Sequence, residues 1–168
     1  TVYVQVDFSL VTAVFGAADK GRAEVRNGAG ATLAIVSSGL QTTVAAVDLQ
    51  AEGSRVVNLG TITADSDFGA EGARLQGVHE TICNRGVVDV TGRYAALGVA
   101  LADSDVLRNT GSITARADTV ATCLVIGGRG GIVVNHGTIS ALDTDAGDGS
   151  DAVGILITMA GANLAGAS

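Results

Sequence analysis

An all-β fold is predicted for this chain: a parallel β-helix (β-solenoid) with three short strands and about 25 residues per coil. Three features of the sequence carry that expectation. First, one seven-residue phrase is written four times: VVNLGTI at 56–62, ICNRGVV at 82–88, LRNTGSI at 107–113 and VVNHGTI at 133–139. The anchoring residues Asn58, Asn84, Asn109 and Asn135 are 26, 25 and 26 residues apart, a period typical of stacked repeats. Second, apolar residues fall at even offsets from each Asn with polar residues between them, the period-two signature of a half-buried strand. Third, 47% of the 168 residues are hydrophobic but only 3% aromatic, with 24 Gly, no Trp and no Pro. Small and β-branched side chains suit thin, regular layers better than one large core.

The columns define the strands. Val56, Ile82, Leu107 and Val133 stand two residues before the Asn; Ile62, Val88, Ile113 and Ile139 stand four after it. Ala64, Val90, Ala115 and Ala141 follow two further on. Between the first two sets lie Gly60, Gly86, Gly111 and Gly137, which break the run into two strands at a corner. Glycine there permits either a positive φ or a tight backbone approach. A third strand is marked by Ala73, Val99 and Leu124, followed by Leu75, Leu101 and Ile126, with Val47 and Leu49 one coil earlier. Coils of this kind stack about 4.8 Å apart, so the repeated Asn side chains can bond one another along the axis. The ladder of Asn58, Asn84, Asn109 and Asn135 with its four glycines is therefore expected to be structural.

The chain reads as one solenoid domain over 1–168: an N-terminal strand region, 1–24, of unassigned register, then repeated coils over 25–162. VRNGAGATLAI at 25–35 fits as an earlier coil if two residues are inserted after Asn27. About five extra residues precede AVGILI, and Asn163 is a candidate start of one more coil. The chain begins at Thr1 without a charged leader and apolar segment, so any signal peptide is expected to be already removed or never included.

The N-x-G-[ST]-I units, each followed by small residues and a G-[IV]-x-[IL] strand, resemble the passenger segments of bacterial autotransporters. Haemagglutinin- and adhesin-type β-helical surface proteins look similar. The resemblance covers about residues 25–160 and implies export and display at a bacterial cell surface.

Chemistry is sparse. The stretch 143–151 places Asp143, Asp145, Asp148 and Asp151 among small residues, a set of oxygen ligands for Ca²⁺ or a plain solvated loop. ADSD at 64–67 and 102–105 reads as turn chemistry. Cys83 and Cys123 fall on different faces and are expected to be free thiols. His79 and His136 lack metal spacing, and GGRGG at 127–131 reads as a turn. No face shows two carboxylates in stacked register beside the few aromatics, so no catalytic residue and no cofactor are assigned.

The net charge is −7, with no basic stripe or basic run, which argues against nucleic acid and anionic membranes as partners. No membrane insertion by this segment is expected. The functional expectation is a non-enzymatic, extracellular structural rod or filament unit that self-associates head to tail through its open ends. The alternative is an autotransporter adhesin segment with a glycan or protein ligand; a polysaccharide-acting enzyme ranks third.

Overall fold

A computed structural model describes residues 2–6, 11–16, 22–38, 42–145, 151–158 and 163–165. It is a parallel β-solenoid of three six-stranded sheets, with the chain visiting each sheet once per coil. Sheet 1 holds β1 (Val2–Val6), β4 (Thr32–Ser37), β7 (Thr61–Ser66), β10 (Val87–Gly92), β13 (Ser112–Ala117) and β16 (Thr138–Asp143). Sheet 2 holds β2 (Val11–Gly16), β5 (Thr43–Leu49), β8 (Gly69–Leu75), β11 (Ala95–Leu101), β14 (Val120–Ile126) and β17 (Asp151–Ile157). Sheet 3 holds β3 (Glu24–Asn27), β6 (Arg55–Asn58), β9 (Thr81–Asn84), β12 (Val106–Asn109), β15 (Ile132–Asn135) and β18 (Asn163–Ala165). No helix among the described residues is long and apolar enough to cross a membrane.

Each strand pairs with its counterpart one coil away, so every column read from the sequence becomes a row of touching side chains. Val56 lies on Ile82, Ile82 on Leu107 and Leu107 on Val133, all at most 1% exposed. The rows through Ile62, Val88 and Ile113 and through Leu49, Leu75, Leu101 and Ile126 close the interior from the other two sheets. A triangular interior this narrow takes aliphatic side chains in layers, which is why large aromatics are scarce.

The two residues inserted after Asn27 are real: Asn27 faces Asn58, while Leu33, not residue 31, faces Ile62. The N-terminal strand acquires a register, Val2 on Leu33, as the outermost strand of sheet 1. Asn163 does not continue the Asn column. It opens β18 opposite Ile132, the first residue of β15, three positions before the ladder column of Asn135.

Two corners obey different backbone rules. At the corner between sheets 3 and 1, the column glycines all have ordinary φ. A Cβ on Gly86, Gly111 or Gly137 would lie 2.0 Å from the carbonyl oxygen of the glycine one coil below. Close backbone approach, rather than positive φ, is thus the reason for glycine there. At the corner between sheets 2 and 3 the left-handed conformation recurs five residues before each ladder Asn: Gly53 (φ 69°), His79 (59°), Ser104 (59°) and Gly130 (69°). GGRGG is part of this turn, with the Arg129 N–H donating to Asp103 Oδ1 at 2.6 Å.

Candidate functional site

The asparagines form a continuous hydrogen-bonded ladder that also includes Asn27. Asn27 Nδ2 donates to Asn58 Oδ1 (2.8 Å), Asn58 to Asn84 (2.7 Å), Asn84 to Asn109 (2.8 Å) and Asn109 to Asn135 (2.7 Å). The second amide hydrogen of each donates to a carbonyl across the corner: Thr61, Val87, Ser112 and Thr138 in turn. Asn58, Asn84 and Asn109 are fully buried. Since every polar atom of these side chains is used inside the stack, they have nothing left for a ligand.

A second stack of buried polar groups lies at the corner between sheets 2 and 3, one residue ahead of each sheet 3 strand: Ser54, Glu80 and Asp105. The Gly77 N–H donates to Glu80 Oε2 at 2.8 Å, and the Glu80 and Ala102 N–H groups donate to the two Asp105 oxygens at 2.9 and 2.7 Å. Asp105 is the last residue of the ADSD read as turn chemistry; the signal missed was its column, four residues before the Asn. Glu80 Oε1 is buried without a hydrogen-bond partner among the described residues. Burial pushes the Glu80 carboxyl up to about 7, and burial likewise raises Asp105. A carboxyl that stays protonated avoids a lone buried charge.

The acidic stretch is only partly described. Asp143 ends β16, its Oδ1 accepts the Asp145 N–H at 2.8 Å, and Asp151 opens β17 one strand over from Val120. Asp148 lies outside the described residues. No group of three or more His, Cys, Asp or Glu suited to a metal occurs among the described residues. Both cysteines are free. Cys123 is buried within its own solenoid, its thiol donating to the Ile113 carbonyl at 3.0 Å, and burial pushes it up to about 11. Cys83 is half-buried on the outer face of sheet 3. His136 is exposed, and His79 Nδ1 lies 3.6 Å from Glu52 Oε1.

The outer face of sheet 2 brings carboxylates near the aromatics, but not stacked on one another: Asp48 is in register with Arg74, and Glu71 with Ala45 and Leu97. Phe68 and Tyr94 occupy the corner leading into β8 and β11, their ring centroids 5.3 Å apart and tilted by 53°. They wall a groove of about 300 Å³ floored by Ala70, Glu71, Leu97, Thr122 and Val125. Arg93 lies 5.9 Å from the centre of the Tyr94 ring. Along β8 from the groove, Arg74 Nη2 donates to Asp48 Oδ2 at 3.0 Å, and Gln76 Nε2 donates to Asp48 Oδ1 at 2.9 Å. Arg74 Nε and Glu71 Oε2 are 3.4 Å apart, both buried, yet make no hydrogen bond with each other. Burial raises the Glu71 carboxyl above the usual range, with Arg74 pulling it back and Asp48 adding to the rise. Burial works against the Arg74 charge, but the bond to Asp48 and the charge of Glu71 outweigh it and raise the guanidinium. The result is an aromatic wall, an apolar floor and a carboxylate–guanidinium–carboxylate strip on one face. It can stack against a flat ring and offer charged hydrogen-bonding groups beside it.

No family model, no curated protein and no solved structure matches this chain.

Proposed function

We propose that this chain is a structural β-solenoid, a rod displayed outside a bacterial cell that lengthens by stacking end to end with further copies of itself. The coil of β16, β17 and β18, at the edge of the three sheets, carries the reading. Ile155 and Ile157 pair with Leu124 and Ile126, which are fully buried, yet they are themselves 37% and 43% exposed. Another coil laid over β16, β17 and β18 removes that apolar surface from water and pairs the open strand edges. The β1, β2 and β3 edge of a second copy has the required three-sheet geometry. Because such a contact is head to tail, it propagates into filaments instead of closing as a dimer. The extracellular, bacterial part of the reading is supported by the N-x-G-[ST]-I units and their likeness to autotransporter passengers. The role is non-catalytic: Asp48 and Glu71, the carboxylates beside the aromatic groove, are both held against Arg74.

Electron microscopy of the purified chain tests this reading, with filaments expected. Ile155→Asp combined with Ile157→Asp, at positions already exposed, should leave folded monomers. Wild-type chain that stays monomeric by light scattering at high concentration overturns it. A second reading, an adhesin segment, is favoured by the Phe68–Tyr94 groove. Binding of the isolated chain to a glycan or cell surface that is lost in Tyr94→Ala supports that alternative.

A further inference from the structure

On the outer face of sheet 3 the fold brings together arginines that the linear sequence keeps apart. On sheet 3, Arg26, Val57, Cys83, Arg108 and Val134 form one outward row in register. The adjoining row at the corner follows each ladder Asn and contains Leu59, Arg85, Thr110 and His136. Arg55 stands on the other side of the first row, with Nη2 3.8 Å from Cys83 Sγ. Arg108 is the register partner of Cys83 one coil further on, and Arg85 lies two residues along from it. Cys83, Arg85, Arg108, Thr110, Val134 and His136 line a shallow cavity of about 190 Å³.

Neither outward row contains Asp or Glu, although the chain has seventeen acidic residues against ten basic ones. The described carboxylates nearest these rows are already occupied. Glu24 pairs with Arg26 at 2.5 Å, Glu52 lies beside His79, and Glu80 and Asp105 are buried behind the sheet on backbone N–H groups. Arg55, Arg85 and Arg108 make no ion pair among the described residues. The one carboxylate on the sheet 3 strands, Glu24, is in register with Arg55 but pairs with Arg26, so Arg55, Arg85 and Arg108 face solvent without a counter-charge that an anion would supply.

We propose that the outer face of sheet 3 binds a linear acidic polysaccharide, its sulfate or carboxylate groups held by Arg55, Arg85 and Arg108 with His136 at the end of the row. Arginine forks match both kinds of oxyanion in bidentate geometry. Arg55, Arg85 and Arg108 belong to three successive coils, each about 4.8 Å further along the solenoid axis, and to three different rows, so their charges are spread across the face. Charges spread over three coils in this way suit a chain carrying spaced anionic groups better than one isolated ion. Single-stranded nucleic acid is disfavoured because these rows offer no aromatic side chain on which bases stack. The aromatic pair Phe68–Tyr94 belongs to the corner between sheets 1 and 2.

The test uses the full chain and four probes: dextran sulfate, polygalacturonate, neutral dextran and a single-stranded oligothymidylate, with inorganic sulfate as competitor. The expected result is salt-sensitive binding of one or both charged polysaccharides, no binding of neutral dextran, and weak competition by free sulfate. Arg85→Gln with Arg108→Gln should weaken binding about tenfold or more, because two charge-assisted contacts are lost. The charge-matched control, Arg116→Gln with Arg129→Gln, should change it by less than about twofold, as expected of screened charges away from the site. Unchanged melting temperatures show that both double variants remain folded. Equal losses in the two double variants, or no binding of either polyanion, overturn the site. Tighter binding of the oligonucleotide, lost in Arg85→Gln with Arg108→Gln, replaces the polysaccharide with nucleic acid and overturns the ligand class.

Discussion

Replacing Asn109 by Ala removes three hydrogen bonds from the interior at once. The Asn84 Nδ2 donor loses its acceptor but keeps the Ser112 carbonyl at 3.0 Å. The Asn135 Oδ1 acceptor loses a 2.7 Å donor and retains only the longer Gly137 N–H at 3.3 Å. The Thr138 carbonyl loses its side-chain donor. At about 0.5–1.5 kcal/mol net for each bond, and with two of the three stranded groups still partly satisfied, the expected loss is about 2–4 kcal/mol. For a domain of this size that corresponds to a fall in melting temperature of roughly 5–15 °C. Asn109→Asp should be worse than Ala, because it sets acceptor oxygens against Asn135 Oδ1 and the Thr138 carbonyl. Thermal denaturation followed by circular dichroism provides the comparison, with the exposed neighbour Thr110→Ala as control. If Asn109→Ala melts with the parent while Thr110→Ala does not, the ladder is not what holds this corner.

Gly111→Ala should cost several kcal/mol, on the order of a severe core overpacking. Its Cβ would fall 2.0 Å from the Gly86 carbonyl oxygen, and the chevron should show faster unfolding. Ser104→Gly should stabilise by about 1 kcal/mol by relieving a left-handed residue that carries a Cβ; an unchanged midpoint in urea would count against strain at that turn. Stability should fall between about pH 4.5 and 7. Glu80 is raised to about 7 from an ordinary 4.5, so the folded state holds a proton that the unfolded state releases across that window. The stabilisation is complete below the lower value and is lost as pH rises through the upper one. Its size is on the order of 2–3 kcal/mol, and Asp105 is displaced in the same direction. Urea melts of Glu80→Gln at pH 5 and pH 8 should show most of this pH dependence removed.

The sequence by itself determined the period, the three strands per coil, the buried rows and the corner at which Asn and Gly recur. It could do so because each coil meets only its neighbours, and the same contacts must be satisfied every 25 or 26 residues. A column read down the repeat is then the same object as a row of side chains in space. Tertiary structure alone decided what lies side by side across columns. Val2–Val6 gained its register only by pairing with β4, and Asn163 proved to stand opposite Ile132, three positions before the ladder column, which an isolated Asn does not reveal. The corner glycines were legible, but their reason was not: the obstacle is the backbone of the next coil, not the local φ. Asp105 read as an ordinary turn residue until the stack buried it beside Glu80. Asp48, Glu71 and Arg74 meet beside Phe68 and Tyr94, and Arg55, Arg85 and Arg108 surround Cys83, although members of each group lie about a coil apart in the chain. Parallel stacking turns that separation into about 4.8 Å, so the lateral faces are composed from residues that the linear order keeps apart.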